Sequence, residues 1–436
     1  MLDTIELDEE QKKIYDLITT KKKNVFIQGQ AGTGKSTLIK YIQRMSEKNV
    51  VLTCPTALAA TTVGGCTLHS LFRLPPKDYF DPVDTVLNRN RNNDTVLKHI
   101  GILIIDEISM VRPDMLDCID LILKDVKHSK KPFGGIQTIL VGDLYQLPPI
   151  IKSDLKEKFE DIYGSKLPYF FDSKAYKEGK FNNFELTIVH RQDDIELLEN
   201  LKNLRSGTNI RSALKFFNSI ETPENFGDAI ILTPYKAKVD EINSLKLNYL
   251  PGIQEYYDAI TTGSFKNVKE TPAPEELVLK EGAFVMFTKN DKDKQWINGS
   301  TGTVFDCNID TIGVTLTNSG RDVYVPRETW ELIKYNYDKK TKKIVEEKIG
   351  EFKQFPLQLG YAVTIHKAQS KTLDRVIIDT DRGIFAPGQL YVALSRTRKR
   401  TDMAIKSRLK EKDVILDERI EQFLNSGLNE NEKRCL

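Results

Sequence analysis

Residues Gly29–Ser36 read GQAGTGKS and match the pattern G-x-x-x-x-G-K-S. An apolar segment, Asn24–Gln28 (NVFIQ), precedes this stretch, and a helical pattern over Ser36–Ser46 follows it. A glycine-rich turn between a strand and a helix lets backbone N–H groups approach phosphate oxygens at the helix N-terminus. We therefore expect Lys35 to neutralise phosphate charge and Ser36 to ligate Mg²⁺. The alternative is a glycine-rich turn that ends in an incidental Lys-Ser.

Short apolar runs alternate with amphipathic helical patterns on both sides of this loop. This alternation predicts α/β cores, each with a parallel sheet covered by helices on both faces. The strands predicted for the first core are Asn24–Gln28, Val50–Cys54, Ile102–Asp106 and Thr138–Val141. The strands predicted for a second core are Glu185–His190, Ala229–Thr233, Tyr361–Ile365, Arg375–Asp379 and Met403–Lys406.

The pattern changes between about Pro251 and about Phe355, where strand-like segments are split by turn signals such as Asn298-Gly299. No helical pattern separates these segments, which predicts a small antiparallel barrel inserted into the second core. A smaller polar insertion, Arg73–Lys98, interrupts the first core. The predicted division is a first core at 1–72 and 99–184, a small insertion at 73–98, a second core at 185–250 and 356–436, and a barrel at 251–355.

Composition limits the classes of protein that this chain can represent. Its 436 residues can fill two or three domains, and 40% hydrophobic with 29% charged residues is typical of a soluble globular protein. The formal net charge is +2, so any nucleic-acid contact depends on local basic patches. Five scattered cysteines favour reduced thiols in a cytoplasmic protein. The absence of a long apolar run argues against a membrane partner, and the acidic start argues against a signal peptide.

Two further segments carry polar residues at the ends of predicted strands. LIIDEIS (Leu103–Ser109) places Asp106 where it can hold Mg²⁺ and Glu107 where it can orient or deprotonate the attacking water. GDLYQLPPI (Gly142–Ile150) offers Gln146 as a group that senses the γ-phosphate or positions water. Its alternative is a turn-capping glutamine.

Two arginines are candidates for stabilising charge on a transferred phosphoryl group. Arg191 lies in TIVHRQ at the start of the second core, and Arg396 lies in YVALSRTR near the end of the chain. Arg396 is the stronger candidate of the two, although an isolated arginine is usually a surface residue. A nucleotide site built from both ends of the chain predicts two cores that close on one nucleotide.

The motifs and their order resemble those of the superfamily-1 DNA helicases, specifically the Pif/RecD/Dda-like branch that moves 5′ to 3′. The resemblance extends over nearly the whole chain and is strongest to minimal bacterial or phage Pif-type helicases. The motifs are LDEEQ (with Gln11), GQAGTGKS, CPTALAA (Cys54–Ala60), TLHSLF (Thr67–Phe72), IIDEISM, GDLYQLPP, VHRQ, TIHKAQSKT (Thr364–Thr372) and YVALSRTR.

The resemblance implies two tandem RecA-like P-loop cores, a wedge insertion in the first and an SH3-like barrel in the second, with ATP and Mg²⁺ as cofactors. Gln11 would read the adenine edge. The residues implied in ATP binding are Gln11, Gly29, Ala31, Gly32, Thr33, Gly34, Lys35, Ser36, Thr37, Gln369 and Gly388. Those implied in catalysis are Lys35, Glu107, Gln146, Arg191 and Arg396, and those implied in metal binding are Ser36 and Asp106. One departure is Ser370-Lys371, because many relatives carry glycine after the glutamine, which weakens the coupling role assigned to Gln369.

The resemblance also implies DNA contacts, which threonine hydroxyls, helix N-termini and stacking rings suit chemically. The implied contacts to single-stranded DNA are Pro55, Thr56, Thr67, His69, Ser70, Thr233, Gly299, Thr301, Thr364, His366 and Lys367. The wedge would consist of Pro75, Pro76, Tyr79 and Phe80, for which loop packing is an equally good explanation. The lysine-rich run at 339–343 (KKTKK) fits a solvated face as well as a DNA contact.

The expected activity is ATP-driven 5′-to-3′ translocation on single-stranded DNA with unwinding of duplex or forked DNA by a monomer. The first alternative is a translocase or protein-displacing ATPase without strong unwinding. The second is a nucleic-acid-binding switch whose nucleotide controls grip alone. The third is a small-molecule kinase that shares the P-loop.

Overall fold

The structure is a computed structural model that describes residues 6–30, 32–75, 77–190, 194–220, 226–369 and 371–427. Its first core is a six-stranded parallel sheet of order β3-β2-β4-β5-β1-β6. The strands are β1 (Val25–Gly29), β2 (Val50–Cys54), β3 (Cys66–Thr67), β4 (Ile102–Ile105), β5 (Gln137–Gly142) and β6 (Asn182–Leu186). The helices are α1 (Glu9–Asp16), α2 (Lys35–Met45), α3 (Ala57–Val63), α4 (Leu68–Phe72), α5 (Pro82–Asn88), α6 (Asp94–His99), α7 (Pro113–Val126), α8 (Lys156–Tyr163) and α9 (Lys174–Gly179).

The first sheet is buried on both faces, as its near-continuous apolar strands predict. Side chains alternate between the two faces along each strand. Val25 and Ile27 of β1 pack in one cluster with helix α2, whereas Phe26 between them packs in the opposite cluster with helix α7. The two-sided parallel core predicted from the sequence is therefore confirmed.

The last strand of this sheet corrects one prediction. The segment Glu185–His190 was expected to open the second core, but the strand is β6, which pairs in parallel with β1 (Gln28 beside Glu185). The strand starts with two polar residues, Asn182 and Asn183, so it lacks the apolar run by which the other strands were predicted. The carboxyl end of β6 therefore lies beside the P-loop strand in the first core.

The second core begins with two helices and is completed after a long insertion. Its first elements are α10 (Ile195–Ser206), α11 (Ile210–Asn218), β7 (Ile230–Thr233) and α12 (Lys236–Tyr249). The insertion contains β8 (Glu255–Asp258), β9 (Ile260–Gly263), β10 (Glu276–Leu279), β11 (Phe284–Phe287), β12 (Thr301–Cys307), β13 (Thr311–Leu316), β14 (Asp322–Pro326), β15 (Glu328–Asp338), β16 (Lys343–Gln354) and β17 (Leu357–Leu359). The core ends with β18 (Ala362–Thr364), α13 (Ile365–Ala368), β19 (Val376–Ile378), α14 (Gln389–Leu394), β20 (Met403–Ile405) and α15 (Glu418–Gly427).

The second core is a parallel sheet of order β18-β7-β19-β20, so the prediction of two parallel cores is confirmed. The insertion is antiparallel, as predicted, and forms three sheets of order β14-β13-β12-β11-β17, β15-β16-β9 and β10-β8. In the part of the chain that the structure describes, we find no helix with the length and apolar character that crossing a membrane requires.

The hairpin of β15 and β16 reaches from the insertion to the first core, which the sequence did not predict. The Tyr335 hydroxyl accepts a hydrogen bond from the Leu52 N–H at 3.3 Å, and the Tyr337 ring stacks on His99 with centroids 3.5 Å apart. At the hairpin tip, Lys343 Nζ donates to the Glu47 carbonyl at 3.0 Å. One lysine of the KKTKK run therefore makes a protein contact that joins the insertion to the first core.

Candidate functional site

The glycine-rich loop joins β1 to α2 and folds around the Lys35 ammonium group. Gly32 and Gly34 have φ of +88° and +77°, a region that disfavours other residues. Lys35 Nζ donates to the carbonyls of Gly29 at 2.7 Å and Gln30 at 2.9 Å. The loop thus encloses a cation at the start of a helix, where phosphate oxygens would be attracted. The predicted contact Ala31 lies outside the described residues.

Two carboxylates, Asp106 and Glu107, follow β4, and both act electrostatically on the Lys35 ammonium. Asp106 is 7% exposed, and its burial, together with the charge of Glu107, raises the pKa of Asp106 to about 7. Burial lowers the pKa of the Lys35 ammonium, and the charges of Asp143, Glu107 and Asp106 oppose that shift. These mutual effects place the predicted lysine and both predicted acids in one desolvated site.

Gln146 lies in the same site and is held by Asp143. Gln146 Nε2 donates to Asp143 Oδ2 at 3.1 Å, and Gln28 Nε2 donates to Asp143 Oδ1 at 3.0 Å. Gln146 Oε1 is buried and has no hydrogen-bond partner among the described residues. The bonds from Gln146 to Asp143 span a turn of the chain, as the turn-capping alternative requires, whereas the buried Oε1 is an acceptor that suits a water molecule. Both roles therefore stay open for Gln146.

Gln11 is buried against the end of the glycine-rich loop. Its Nε2 donates to the Gly34 carbonyl at 3.3 Å, and its Oε1 accepts from the Asp8 N–H at 3.1 Å as part of a helix-capping box. The structure thus places Gln11 beside the loop, with its amide engaged by protein groups.

The second core contributes Gln369 and Gly388 to this site from the opposite side. Gln369 Nε2 donates a hydrogen bond to Glu107 Oε2 at 3.4 Å. Gly388 has φ of +73°, and a Cβ built on it would lie 2.4 Å from the Tyr145 carbonyl oxygen and 2.5 Å from that of Gln146. The backbones of the two cores are therefore in contact beside Gly388, and this contact forms one edge of the site.

We predict that Gly388→Ala impairs this contact between the cores. A non-glycine residue at positive φ costs about 1–3 kcal/mol, and the added methyl group would also strike the Tyr145 and Gln146 carbonyls. The expected result is a kcat/KM for ATP that falls by roughly tenfold or more. The matched control is Gly383→Ala, because Gly383 has φ of +86° but no atom within 4 Å of its built Cβ. Equal ATPase activity in both variants would show that the contact has no role in turnover.

Arg396 is fully buried, which its sequence did not indicate. Its guanidinium donates to the Val392 carbonyl at 2.6 Å, to the Ser395 hydroxyl at 2.6 Å and to the carbonyls of Ala368 and Lys371 at 3.2 Å. These acceptors belong to the second core, so a contact with phosphate requires a rearrangement. The other predicted arginine, Arg191, lies outside the described residues.

Arg205 occupies the cleft and was missed by the sequence analysis. It lies at the end of α10, and its Nη2 is 2.9 Å from Glu185 Oε1 and 3.6 Å from Asp143 Oδ1. Its guanidinium carbon lies 4.5 Å from the centre of the Tyr145 ring. The available signal was weak: Arg205 follows the buried Leu204 at the end of an amphipathic helix, where an exposed cation is the ordinary expectation.

Three predicted DNA contacts are N-caps of short helices that follow parallel strands in both cores. The hydroxyl of Thr56 accepts from the Ala59 N–H at 3.2 Å, and Thr67 and Thr364 make equivalent bonds to Ser70 and Lys367 at 3.1 and 3.2 Å. These helix starts also carry the predicted contacts Pro55, His69, Ser70, His366 and Lys367. Helix N-termini present free N–H groups, which suit phosphate oxygens. Each core therefore offers helix starts of the kind that a backbone-tracking site requires.

Comparison with known proteins finds relatives that match nearly the whole chain. The family model described as PIF1-like helicase matches residues 6–209. The ATP-dependent DNA helicase Pif1 of Bdellovibrio bacteriovorus is 31% identical over 402 residues, with 90% of this chain and 86% of the relative covered. A crystal structure of Bacteroides sp. Pif1 in complex with ADP-AlF4 matches with a TM-score of 0.87 and 36% identity over 97% of both chains. Pif1 helicase from Candida albicans matches with a TM-score of 0.72 and 30% identity, over 97% of this chain and 99% of that one.

The chain belongs to the Pif1-like helicase family.

Within this Pif1-family chain, three of the residues predicted to contact DNA lie in closely packed surroundings. Thr233 and Thr301 are 1% and 2% exposed, and the Thr301 N–H donates to Asp374 Oδ2 at 3.1 Å. Gly299 has φ of +101°, and a Cβ on it would lie 2.2 Å from the Thr372 carbonyl oxygen. The contacts of Gly299 and Thr301 join the insertion to the second core, and the predicted contact of both residues with DNA stays a prediction.

The predicted wedge is also more buried than its sequence suggested. Tyr79 is 1% exposed, and its hydroxyl donates to the Pro75 carbonyl at 2.6 Å. The Phe80 ring packs edge-on against Phe159 with centroids 4.8 Å apart. For both aromatic residues the structure therefore favours the alternative of loop packing. Pro76 lies outside the described residues.

Proposed function

We propose that this Pif1-family protein, an ATP-dependent DNA helicase, moves 5′ to 3′ along single-stranded DNA and separates duplex or forked DNA. The observation that carries the proposal is the meeting of both cores at one pocket. Lys35, Glu107 and Gln146 come from the first core, and Gln369 and Gly388 contact Glu107 and the Gln146 segment from the second. Helix starts suited to phosphate lie in both cores, so a change in the cleft can move one DNA grip relative to the other.

Nucleotide chemistry in this pocket assigns separate tasks to the residues of the chain. Lys35 would leave its two carbonyl acceptors to pair with phosphate oxygens, and Glu107 would hold the attacking water. Gln146 Oε1, a buried acceptor without a donor, would orient the same water. Closure works only if ATP binds the closed arrangement better than the open one.

Mg²⁺ is proposed as the second cofactor because the donor set fits it. Ser36 lies in the first turn of α2, and the Asp106 carboxylate interacts electrostatically with Lys35. Among the described residues no group of three or more His, Cys, Asp or Glu side chains could hold a metal. Mg²⁺ is commonly bound by one or two protein oxygens together with waters and substrate phosphates, which this sparse set matches. When bound, the ion would neutralise charge on the phosphates.

Single-stranded DNA as a partner is supported by the arrangement of the domains in relatives. Bacteroides Pif1 bound to ssDNA matches this chain with a TM-score of 0.69, whereas unliganded Bacteroides Pif1 matches with 0.87, both at 36% identity. The identity is the same for both matches, so the two scores differ with the conformation of the relative. We infer that DNA changes the relative positions of the domains in this chain.

We propose that one copy of the chain is the translocating unit. A single chain supplies both sides of the nucleotide pocket and the helix starts of both cores. The relative in a structure of forked dsDNA unwinding is described as two coordinating Pif1 helicases, and it matches with a TM-score of 0.67 and 35% identity. Pairing of two copies at a fork is compatible with a single copy being competent to move.

We propose the cytoplasm as the compartment of this protein, from its cysteine chemistry. Cys54, Cys66 and Cys118 are buried free thiols, and Cys307 is a partly buried one. Burial raises the pKa of the Cys66 and Cys118 thiols to about 12, which keeps them protonated and unreactive. Reduced, inert thiols suit a reducing environment.

The polarity is tested by unwinding of duplexes that carry a single-stranded tail on the 5′ or the 3′ side. We expect ATP-dependent strand separation with the 5′ tail and at least about tenfold slower separation with the 3′ tail, because translocation starts on the tail. The control omits ATP, and ATPase activity with and without ssDNA is measured in parallel. Preference for the 3′ tail would contradict the proposed direction. Strong ssDNA-stimulated ATPase activity without strand separation would favour the translocase alternative.

A further inference from the structure

Arg205 belongs to the second core, and its side chain lies beside two carboxylates of the first core, Glu185 and Asp143. Its helix, α10, is anchored in the second core by the buried Leu197, Leu201 and Leu204. From the end of this helix its guanidinium crosses the cleft to Glu185 at 2.9 Å and Asp143 at 3.6 Å. Glu185 lies near the end of β6 and Asp143 follows β5, so a single side chain contacts two elements of the first core.

The contact of Arg205 with Asp143 is incomplete. The Arg205 side chain is 11% exposed, and the Asp143 side chain is 1% exposed. Arg205 Nε is buried without a hydrogen-bond acceptor among the described residues, and the 3.6 Å separation from Asp143 is too long for a hydrogen bond. A buried guanidinium with an unused N–H is unfavourable, so a nearby acceptor that becomes available would be taken up.

The oxygens of Asp143 are occupied by first-core donors instead. Oδ2 accepts from Gln146 Nε2 at 3.1 Å, and Oδ1 accepts from Gln28 Nε2 at 3.0 Å and from the Tyr145 N–H at 3.2 Å. Gln146 is the residue proposed to respond to the nucleotide. When the Gln146 amide turns toward the nucleotide, Asp143 Oδ2 loses its hydrogen bond from Gln146 Nε2. Oδ2 can then accept a hydrogen bond from the Arg205 guanidinium.

We propose that Arg205 is a positioning residue that couples nucleotide binding to the position of the second core, by exchange with Gln146 on Asp143. The proposal rests on the proposed role of Gln146 at the nucleotide. In the nucleotide-free state Gln146 holds Asp143, and Arg205 pairs mainly with Glu185. In the nucleotide-bound state Arg205 pairs with Asp143 through two N–H groups and draws α10 toward the first core.

The electrostatics of the pocket agree with this exchange. Asp143 is the largest source of negative charge acting on the Lys35 ammonium, and Arg205 acts on the same group with the opposite sign. Arg205 and Lys35 therefore share one carboxylate. Since a bound phosphate takes over the neutralisation of Lys35, the Asp143 charge is then available to Arg205 alone.

The test is the thermodynamic coupling between ATP and DNA in the full-length protein. The affinity for AMP-PNP is measured with and without saturating ssDNA, and the ratio is the coupling factor, which is reciprocal between the two ligands. A coupling factor of about 5–150-fold is typical of linked sites. We expect Arg205→Gln and Arg205→Ala to reduce the factor to less than about twofold and Arg205→Lys to give an intermediate value, since lysine keeps the charge but loses the fork.

The controls separate this role from a structural one. Arg211→Ala is the matched control, because Arg211 lies on the next helix with an 88% exposed side chain that pairs with Glu411 outside the cleft. It should keep the wild-type coupling factor. The Gln146→Ala variant should lose coupling, and adding Arg205→Ala to it should change the factor by less than about twofold, because both act through Asp143. If Gln146→Ala alone leaves the coupling factor above about twofold and the added Arg205→Ala lowers it further, the two residues act independently and the exchange is overturned.

Two further outcomes distinguish the failure of this inference from the failure of the proposed function. If the wild-type protein shows no ssDNA-stimulated ATPase activity, the proposed function itself fails. If the wild type is coupled and the Arg205→Lys and Arg205→Gln variants, folded by circular dichroism, keep the wild-type factor, only the role of Arg205 is overturned.

Discussion

Replacing Lys35 by alanine is expected to lower the kcat of ATP hydrolysis by at least about 10²–10³-fold, the loss seen when one preorganised group that stabilises transition-state charge is removed. The Lys35 ammonium is enclosed by the loop carbonyls of Gly29 and Gln30, and Asp106 and Glu107 exert their charge on it. Among the described lysines, only Lys35 donates to both loop carbonyls, so no neighbouring lysine replaces it. The measurement is steady-state ATPase activity with saturating ssDNA.

DNA binding by the Lys35→Ala variant should remain within about threefold of wild type, because the helix starts at Thr56, Thr67 and Thr364 are unaffected. Lys40→Ala is the matched control, since Lys40 is exposed on the same helix, α2, and should leave both activities unchanged. Turnover at wild-type rate in Lys35→Ala would remove the loop lysine from the mechanism.

The parts of the fold that the sequence predicted correctly are those specified by neighbouring residues. The strand at Val50–Cys54 and the strand–loop–helix around Gly29–Ser36 depend on a local apolar pattern and on glycine at positive φ. Those features depend on a few neighbouring residues, so they can be predicted without knowledge of distant contacts. The assignment of Glu185 to the second core failed because pairing partners are not encoded locally.

The parts that were missed depend on contacts between residues far apart in the chain. Tyr335 and Leu52 are 283 residues apart, and nothing near either residue indicates that the hairpin of β15 and β16 docks on the first core. Arg205 is an ordinary helix-terminal arginine until β6 and the segment after β5 bring Glu185 and Asp143 to it.

Burial was the property that sequence motifs conveyed least well. Thr301 and Tyr79 belong to segments that contain motif-like residues, yet both side chains are within 2% of complete burial and bond to neighbouring protein groups. A polar or aromatic residue in a motif can serve the packing around a site as readily as the site itself. A motif identifies the region of a site. The exposure of each side chain then separates residues that can contact a ligand from residues that pack around the site.

The second large effect is expected for Arg396→Ala. Its outcome decides whether the buried Arg396 contacts phosphate or supports the fold of the second core. If the guanidinium reaches the γ-phosphate during turnover, kcat should fall by about 10³–10⁵-fold while the affinity for ATP changes little. The structure adds a competing expectation. Removing the side chain takes one donor from the carbonyls of Ala368, Lys371 and Val392. The carbonyls of Ala368 and Val392 keep the Lys371 N–H and the Ser395 hydroxyl as donors, so the penalty of about 1–3 kcal/mol for an unsatisfied group applies to the Lys371 carbonyl.

The two roles give different patterns in Arg396→Ala and Arg396→Lys. Lysine retains one donor and a charge, so it should restore much of the thermal stability, but it cannot reproduce the fork that spans several phosphoryl oxygens. If Arg396 contacts the γ-phosphate, the Arg396→Lys variant should therefore melt at the same temperature as the wild type while its kcat stays at least about 10²-fold lower. If kcat recovers together with stability, or if folded Arg396→Ala loses less than tenfold in kcat, Arg396 supports the fold of the second core and the phosphoryl charge is stabilised elsewhere.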